Sequence, residues 1–218
     1  MREGAVAVLA KAPIPGFAKT RLIPLLGPHG AAALQQRLIE RALATAVAAR
    51  IGPVTLWCAP DDAHPFFNEA ADRRRVRLAA QPEGDLGERM LAPFRAAPTG
   101  AGLVLIGTDC PVLEPRDLWR AAALLEDADV AIAPAEDGGY GLIAARRPLP
   151  PLFERMPWGT EWVADLTRER AHREELRLAE LRTVWDVDTP PDFERLQASG
   201  LLDVRDLAPH ARGSRQRP

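Results

Sequence analysis

The sequence predicts one α/β domain in which a mostly parallel sheet lies between layers of helices. Short apolar runs alternate with amphipathic segments along the whole 218-residue chain, which is the pattern of an α/β protein. Hydrophobic residues make up 47% of the composition, enough for one sizeable core. The length suits one domain, and no linker divides it. We therefore expect a domain over residues 1–208 and a basic, disordered tail over 209–218.

The spacing of apolar residues places the elements of the amino-terminal half. Residues 5–10 are apolar throughout, as in a strand that helices cover on both faces. A loop with two prolines and a glycine follows, and residues 28–50 then repeat apolar positions at helical spacing. Asp61 or Asp62 could cap a short helix after the second strand. The other elements predicted in this half are strands at 53–59, 76–80 and 102–107 and a helix at 86–96.

The carboxyl-terminal half continues the same alternation. Pro115 suits the first turn of a helix that ends near residue 126. Two apolar strands then flank a turn that contains adjacent glycines, and a charged helix follows them. The elements predicted after Pro115 are strands at 129–134, 140–145 and 178–186 and helices at 161–174 and 191–198.

Charge and cysteine content exclude several classes of protein. The formal net charge of −2 gives no electrostatic footprint for nucleic acid or an anionic membrane, so we expect neither as a partner. Cys58 and Cys110 cannot form a disulfide framework and belong to no metal-binding cysteine pattern; Cys58 lies in an apolar run and is predicted to be a buried thiol. No signal peptide and no apolar stretch long enough to span a bilayer is found, so the default expectation is a cytoplasmic protein.

A basic loop follows the first predicted strand. Lys11, Lys19 and Arg21 lie close together in a segment that prolines stiffen, and Gly16 permits a close approach of the backbone to a ligand. Three neighbouring cations repel one another and favour a multiply charged anion. The loop is neither a Walker sequence nor GxGxxG, and a solvated basic turn is the alternative. We predict that Lys11, Pro15, Gly16, Lys19 and Arg21 bind the phosphates of a nucleotide.

Carboxylates follow two other predicted strands. Ligands of open α/β sheets bind beyond the carboxyl ends of the strands, where Asp109 lies after one strand and Asp186 and Asp188 after the last. In an extended chain Asp186 and Asp188 face the same side. Mg²⁺ or Mn²⁺ takes one or two carboxylates and completes its shell with water and phosphate oxygens. We predict a Mg²⁺ or Mn²⁺ site at these three aspartates; helix capping is the alternative for Asp109 and for Asp188 or Thr189.

Three further segments offer weaker signals. Arg89 lies in a glycine-containing helix start and could reach a nucleotide or an acceptor. Asp137 begins a tight turn with two glycines that either joins two strands or lets a ligand lie against the backbone. Trp158 and Thr160 precede a helix and offer a stacking surface and a hydroxyl, although a buried structural tryptophan explains Trp158 equally well.

In this order, the motifs resemble GT-A-type transferase-like proteins related to 2-phospholactate guanylyltransferase and molybdenum cofactor guanylyltransferase. One branch of that family is labelled as glycosyltransferases and is linked by name to arsenosugar biosynthesis. The resemblance implies a Rossmann-like GT-A fold with a mostly parallel mixed sheet. The segments that carry it are 11–22, 84–90, 107–113, 137–142, 157–160 and 186–190.

The resemblance also implies roles for individual residues. Lys19 and Arg21 match the family's KTRL motif and would hold phosphates, Asp109 would hold the divalent metal, and Asp186 or Asp188 would complete the metal site. The glycine turn and the segment around Trp158 would lie on the acceptor side. We therefore take Lys19 and Asp109 as candidate catalytic residues. The candidate acceptor-binding residues are Arg89, Asp137, Gly138, Gly139, Trp158 and Thr160.

These observations favour a metal-dependent transferase that uses a nucleotide donor. The first hypothesis is a GT-A-type glycosyltransferase that acts on a nucleoside diphosphate sugar. The alternatives are a guanylyltransferase-like nucleotidyltransferase, which uses a nucleoside triphosphate and a phosphorylated acceptor, and a non-catalytic nucleotide-binding protein. The lack of a full DxD motif at Asp109 argues against glycosyl transfer, and the altered first loop argues against nucleotidyl transfer. The small-molecule acceptor and the catalytic base stay open, and exposed Trp or Phe side chains could support a homodimer.

Overall fold

The computed structural model describes residues 4–98 and 100–207. The strands are β1 (Gly4–Lys11), β2 (Val54–Ala59), β3 (Arg77–Ala80), β4 (Gly102–Ile106), β5 (Val130–Pro134), β6 (Tyr140–Ala145) and β7 (Leu178–Glu180). The α-helices are α1 (Ile23–Ala48), α2 (Pro65–Arg74), α3 (Leu86–Ala96), α4 (Pro115–Leu124), α5 (Val163–Arg173) and α6 (Pro190–Ser199), and short 3₁₀ turns cover Thr20–Leu22 and Pro150–Leu152. The tail predicted at 209–218 lies outside the described residues, and the domain boundary at 208 stays a prediction.

The seven strands form one mixed sheet in the order β3-β2-β1-β4-β6-β5-β7. β1 pairs in parallel with β2 and with β4, and β6 runs antiparallel between β4 and β5. The chain winds outward from β1 to β3 and then returns to the other side of β1 to form β4. This reversal of the winding direction creates a crevice beyond the carboxyl ends of β1 and β4, where ligands of such sheets bind. The predicted fold class is confirmed.

Helices cover both faces of the sheet, because successive side chains of a central strand point to opposite sides. Val6 and Val8 of β1 face a layer that includes Leu43 of α1 and Leu118 of α4. Ala7 faces the other layer, formed by α3, α5 and the turn before α5. A third cluster packs α1 against α6 and the chain that leads into α6. Within the described residues, no helix is long and apolar enough to cross a membrane.

Two predicted boundaries and one predicted helix cap differ most from the structure. α1 begins at Ile23, ahead of the predicted start, and bends at Gly27, whose positive φ of 69° suits glycine. The predicted cap of α2 is wrong: His64 Nδ1 accepts the Phe66 N–H there, while Asp61 accepts from Ala63 in the preceding turn. β7 ends at residue 180, where its pairing with β5 stops at Ile132, and only an isolated bridge between Ala135 and Val184 lies beyond it.

The predicted cysteine environment is confirmed, and the surface offers the apolar residues on which the dimer prediction depends. Cys58 is fully buried, and burial, with smaller contributions from Asp62 and Asp61, raises the pKa of its thiol to about 12. Phe17, Trp119 and Trp162 are exposed. The homodimer itself stays a prediction.

Candidate functional site

A cleft of about 1140 Å³ opens at the carboxyl ends of β1 and β4. Drug-sized ligands occupy about 300–1,000 Å³ of a protein pocket, so this cleft has room for a nucleotide and a second small molecule. Most of the predicted site residues line it, although they come from segments far apart in the chain. These lining residues are Lys11, Lys19, Arg21, Arg89, Asp109, Asp137, Gly139, Trp158, Thr160, Asp186 and Asp188.

Pro15, Gly16 and Gly138 were predicted to contact ligand but are not among the cleft-lining residues. Pro15 and Gly16 lie in the loop after β1, and Gly16 has a φ of 86°, so its freedom serves the turn of the chain. Gly138 packs against the backbone of Glu161, where an added Cβ would lie 2.1 Å from the carbonyl oxygen. Its carbonyl also accepts the Ala164 N–H at 2.8 Å, so the glycine joins the turn to the start of α5.

The loop after β1 turns back and buries the side chain of Lys19. Hydrogen bonds from the N–H groups of Phe17 and Ala18 to the carbonyl of Ile14 close this turn. Lys19 then adopts a left-handed conformation, with φ 47° and ψ 48°. That conformation costs a non-glycine residue roughly 1–2 kcal/mol, so the contacts of its side chain must offset the cost.

Lys19 Nζ lies between two of the predicted metal ligands. It is 2.7 Å from Asp109 Oδ1 and 3.0 Å from Asp188 Oδ1, and it donates a hydrogen bond to the carbonyl oxygen of Val187 at 2.7 Å. Burial alone would lower the pKa of Lys19, but the charges and hydrogen bonds of Asp109 and Asp188 outweigh burial and hold the pKa above its usual value. The ammonium is therefore charged and oriented by three oxygen atoms.

Backbone and amide contacts bring the two acidic segments together. The Val187 N–H donates to the carbonyl of Asp109 at 2.9 Å, which places the segment before α6 against the end of β4. Thr108 Oγ1 donates to Asp109 Oδ1 at 3.1 Å. Gln35, buried in α1, donates from Nε2 to Thr108 Oγ1 and to the carbonyl of Lys11, so one amide connects the ends of β4 and β1.

The first turns of α4 and α6 show whether Asp109, Asp188 or Thr189 acts as a helix cap. α4 begins at its own capping box, in which Asp117 accepts the Glu114 N–H, so Asp109 is not needed as a cap. Thr189 does cap α6, where Asp192 Oδ2 accepts from both its N–H and its hydroxyl group. Asp188 is left with its carboxylate directed to Lys19 and, at 3.8 Å, to Arg21.

The acidic side of the cleft carries surplus negative charge. Asp186 is half-buried, and burial, followed by the neighbouring charges of Asp137, Asp188 and Asp109, raises its pKa to about 6. In the described part of the chain, no three acidic, histidine or cysteine side chains converge into a closed metal cage. An open pair of carboxylates nonetheless fits Mg²⁺ or Mn²⁺, which draw their remaining ligands from water and phosphate. Asp109 and Asp188 could hold such an ion, and Asp186 adds charge beside it.

The predicted acceptor side lies between α3 and the segment before α5. Trp158 packs edge-on against Tyr140, with ring centroids 6.3 Å apart. Trp158 Nε1 and Arg89 Nε are buried and have no hydrogen-bond partner among residues 4–98 and 100–207. The other predicted polar groups are used locally: Asp137 accepts the Gly139 N–H, and Thr160 donates to the carbonyl of Pro157.

Several cleft residues were not predicted from the sequence. Gln81 lines the cleft and donates from Nε2 to the carbonyls of Ala10 and Trp57, which connects the ends of β1 and β2. Gln35 interrupts the apolar face of α1, Gln81 directly follows β3, and Thr108 follows β4 after one glycine. A buried polar residue on an apolar helix face, or immediately after a strand, is the signal that could have identified these residues.

Comparison with known proteins places this geometry in a family. The model of the family described as "uncharacterized protein conserved in bacteria" (DUF2064) matches residues 42–160. A phosphoenolpyruvate guanylyltransferase of Rubrobacter xylanophilus is 31% identical over 200 residues, which cover 86% of this chain and 91% of the relative. A Desulfovibrio desulfuricans G20 structure, described as a candidate nucleotide-diphospho-sugar transferase, has a TM-score of 0.81 and 32% identity and covers 91% of this chain and 88% of its own.

A more distant structure shares the fold alone. It is a Mycobacterium tuberculosis protein in complex with manganese, with a TM-score of 0.54 and 18% identity over 90% of this chain and 99% of its own. The predicted GT-A-like fold and the resemblance to guanylyltransferases are confirmed, and the relatives show that the chain is an enzyme of the transferase class. The chain belongs to the DUF2064 family of bacterial proteins and is a nucleotide-using transferase with a GT-A-like fold.

Proposed function

We propose that this protein is a metal-dependent nucleotidyltransferase that transfers a nucleoside monophosphate from a nucleoside triphosphate to a small phosphorylated acceptor. The observation that carries the proposal is the meeting of Asp109 and Asp188 at the end of β4, beside the cationic loop after β1. The two carboxylates come from separate segments, as the family resemblance predicts for a nucleotidyltransferase, and not from one DxD motif. For this reason nucleotidyl transfer becomes the first hypothesis and glycosyl transfer the second.

The cations of the first loop suit the phosphates of the donor. Lys11 lines the cleft with an exposed side chain, and its ammonium group makes no hydrogen bond or ion pair within the described residues. Arg21 is largely exposed, and its nearest carboxylate oxygen, Asp188 Oδ2, is 3.8 Å away. A bound Mg²⁺ or Mn²⁺ would offset charge on the phosphates and on the leaving pyrophosphate. Lys11 and Arg21 would orient the triphosphate and stabilise charge as the leaving group departs.

The reaction needs only the two substrates and the ion. An acceptor phosphate oxygen attacks the α-phosphorus and forms a new phosphoanhydride bond. The bond between the α-phosphorus and the bridging oxygen breaks, and pyrophosphate leaves with that electron pair. In this proposal Asp109 and Asp188 would hold the ion, while Arg89, Trp158 and the turn at Gly139 contact the acceptor. The buried Arg89 Nε and Trp158 Nε1 groups support that assignment, since each lacks an acceptor of its own among the described residues.

Pyrophosphate release is the direct test. The protein would be incubated with Mg²⁺, each of the four nucleoside triphosphates and a panel of phosphorylated carboxylic acids that includes phosphoenolpyruvate. We expect pyrophosphate only when a triphosphate, an acceptor and the ion are present together. The name of the Rubrobacter relative makes GTP and phosphoenolpyruvate the first pair to test.

Glycosyl transfer from a nucleoside diphosphate sugar is the second candidate. The description of the Desulfovibrio structure favours it, and the same cleft could bind such a donor. A parallel assay would follow the release of nucleoside diphosphate from a sugar-nucleotide panel. Turnover of a sugar nucleotide without any pyrophosphate release from triphosphates would replace the nucleotidyltransferase proposal with this one.

A further inference from the structure

Lysine is rare in this chain, and both lysine residues lie in the cleft. Of 28 lysine and arginine residues, only Lys11 and Lys19 are lysines, and both line the cleft. Arginine supplies the basic group of the surface ion pairs, as at Arg168 and Arg195. An ammonium is a compact point charge with three donors, whereas a guanidinium is a planar fork. The position of Lys19 therefore suits a group that sits between several oxygen atoms.

The surroundings of Lys19 resemble those of a bound cation. Its side chain is only 4% exposed, while the carboxylates of Asp109 and Asp188 are 47% and 40% exposed toward the cleft. Three oxygen atoms lie within 3.0 Å of Nζ and match its three donors, so no donor is left for a phosphate while these contacts last. Both contacted carboxylate oxygens belong to residues that would also hold the divalent ion.

We propose that Lys19 occupies the position of a cation between Asp109 and Asp188 while the cleft is empty, and that a divalent ion displaces it only when nucleotide phosphates bind with the ion. This inference rests on the proposed metal dependence of the transferase. The ammonium cancels part of the charge that would attract a free ion, and it repels that ion at short range. Nucleotide phosphates bring additional negative charge and new acceptors for the released ammonium, which shifts the balance toward the ion.

Manganese binding without nucleotide tests the first half of the proposal. Electron paramagnetic resonance of free Mn²⁺ would be used to compare the wild type with Lys19→Met and with Lys11→Met. Loss of one positive charge near the ion should tighten Mn²⁺ binding by Lys19→Met at least about tenfold. Lys11→Met is the matched control, since Lys11 contacts neither carboxylate, and its Mn²⁺ affinity should equal that of the wild type. Unchanged or weaker binding by a folded Lys19→Met protein overturns the proposal.

The wild type provides a test that does not depend on a folded variant. With ¹⁵N-lysine labelling, two lysines give at most two ammonium signals, and the buried contacts of Lys19 should make its signal visible through slow proton exchange. We expect that signal to stay unchanged with Mg²⁺ alone and to change when Mg²⁺ and a nucleoside triphosphate are added together. A change of the Lys19 signal with Mg²⁺ alone overturns the proposal. It is also overturned if thermal shifts show that Mg²⁺ and the triphosphate both bind while the Lys19 signal stays unchanged.

The two proposals fail in different ways. If no nucleotide stabilises or reacts with the wild type, the proposed function fails. The Mn²⁺ comparison contains no nucleotide, and it reports on the contact between Lys19 and the carboxylates regardless of that outcome.

Discussion

The Oδ1 atom of Asp109 contacts the Lys19 ammonium and accepts a hydrogen bond from Thr108, and these two contacts orient the Asp109 side chain at the end of β4. We predict that Asp109→Asn lowers kcat/KM at least about 100-fold, since loss of a metal ligand removes several kcal/mol of charge stabilisation. Pyrophosphate release and thermal unfolding measure the two effects, and the fold should survive because Asp109 is half exposed. Asp165→Asn, an exposed carboxylate on α5, is the control. An Asp109→Asn enzyme with full metal-dependent activity contradicts the assigned ligand.

Arg89 lines the cleft from α3 with a guanidinium that makes no hydrogen bond or ion pair to any described residue. If it binds an anionic group of the substrate, Arg89→Met should lower kcat/KM about 10- to 100-fold, the range of a lost hydrogen bond to a charged group. Stability should change little, because no hydrogen bond or ion pair to a described residue is lost. Steady-state kinetics with each substrate varied separately identifies which substrate is affected. Arg95→Met, exposed in the last turn of the same helix, should behave like the wild type.

At the scale of single elements, the start of α4 depends on a buried carboxylate. Asp117 accepts the Glu114 N–H and two hydrogen bonds from Arg182, at 2.7 Å from Nη2 and 3.1 Å from Nε. Burial alone would raise the pKa of Asp117, but the Arg182 and backbone hydrogen bonds outweigh burial and lower it. Asp117→Asn should therefore lower the free energy of unfolding by about 1–3 kcal/mol near neutral pH.

The pH dependence of this effect has a definite sign. A carboxyl group with a lowered folded-state pKa contributes stability above its unfolded value of about 3.9, and this contribution is lost as pH falls through the folded-state pKa. Urea unfolding should therefore separate wild type from Asp117→Asn at neutral pH and bring them together in strong acid. Asp127→Asn, exposed after α4, is the control. A gap that stays constant down to the lowest pH would show that Asp117 acts through shape and not charge.

Elements were predictable where local sequence decides them. The helix α3 was predicted at residues 86–96, and the observed helix has the same bounds; in the structure Asp85 Oδ1 accepts the Glu88 N–H at its start. The early start of α1 could not be predicted, because Gly27 and Pro28 normally end a helix, and here the chain resumes it after one positive φ. The last strand was predicted too long, since its apolar pattern continues to Val184 while its pairing with β5 stops at Glu180.

At the scale of the whole molecule, the rule that ligands bind at strand ends led to predicted site residues most of which do line the cleft. It could not predict which of them touch. Lys19 and Asp188 are 169 positions apart, and their contact depends on the Val187–Asp109 hydrogen bond and on the packing of α6 against α1. No local pattern encodes such a contact. The sequence therefore predicted Lys19 as a phosphate ligand, whereas the folded chain directs it to two carboxylates.

Because the cleft is built from the ends of β1 and β4 and the segment before α6, ligand binding should stabilise the entire fold. A ligand at about 100 times its dissociation constant adds roughly 2.7 kcal/mol to the free energy of unfolding, which raises the Tm of a domain of this size by about 5–10 °C. Differential scanning fluorimetry with nucleoside triphosphates and sugar nucleotides, with and without Mg²⁺ or Mn²⁺, measures this shift. A shift that requires both a triphosphate and the ion supports nucleotidyl transfer, while one that requires a sugar nucleotide and the ion favours glycosyl transfer. Without the ion, the carboxylates of Asp109 and Asp188 would repel the phosphates, so the nucleotide alone should give a smaller shift. Equal shifts with and without the ion would contradict the role assigned to these two residues.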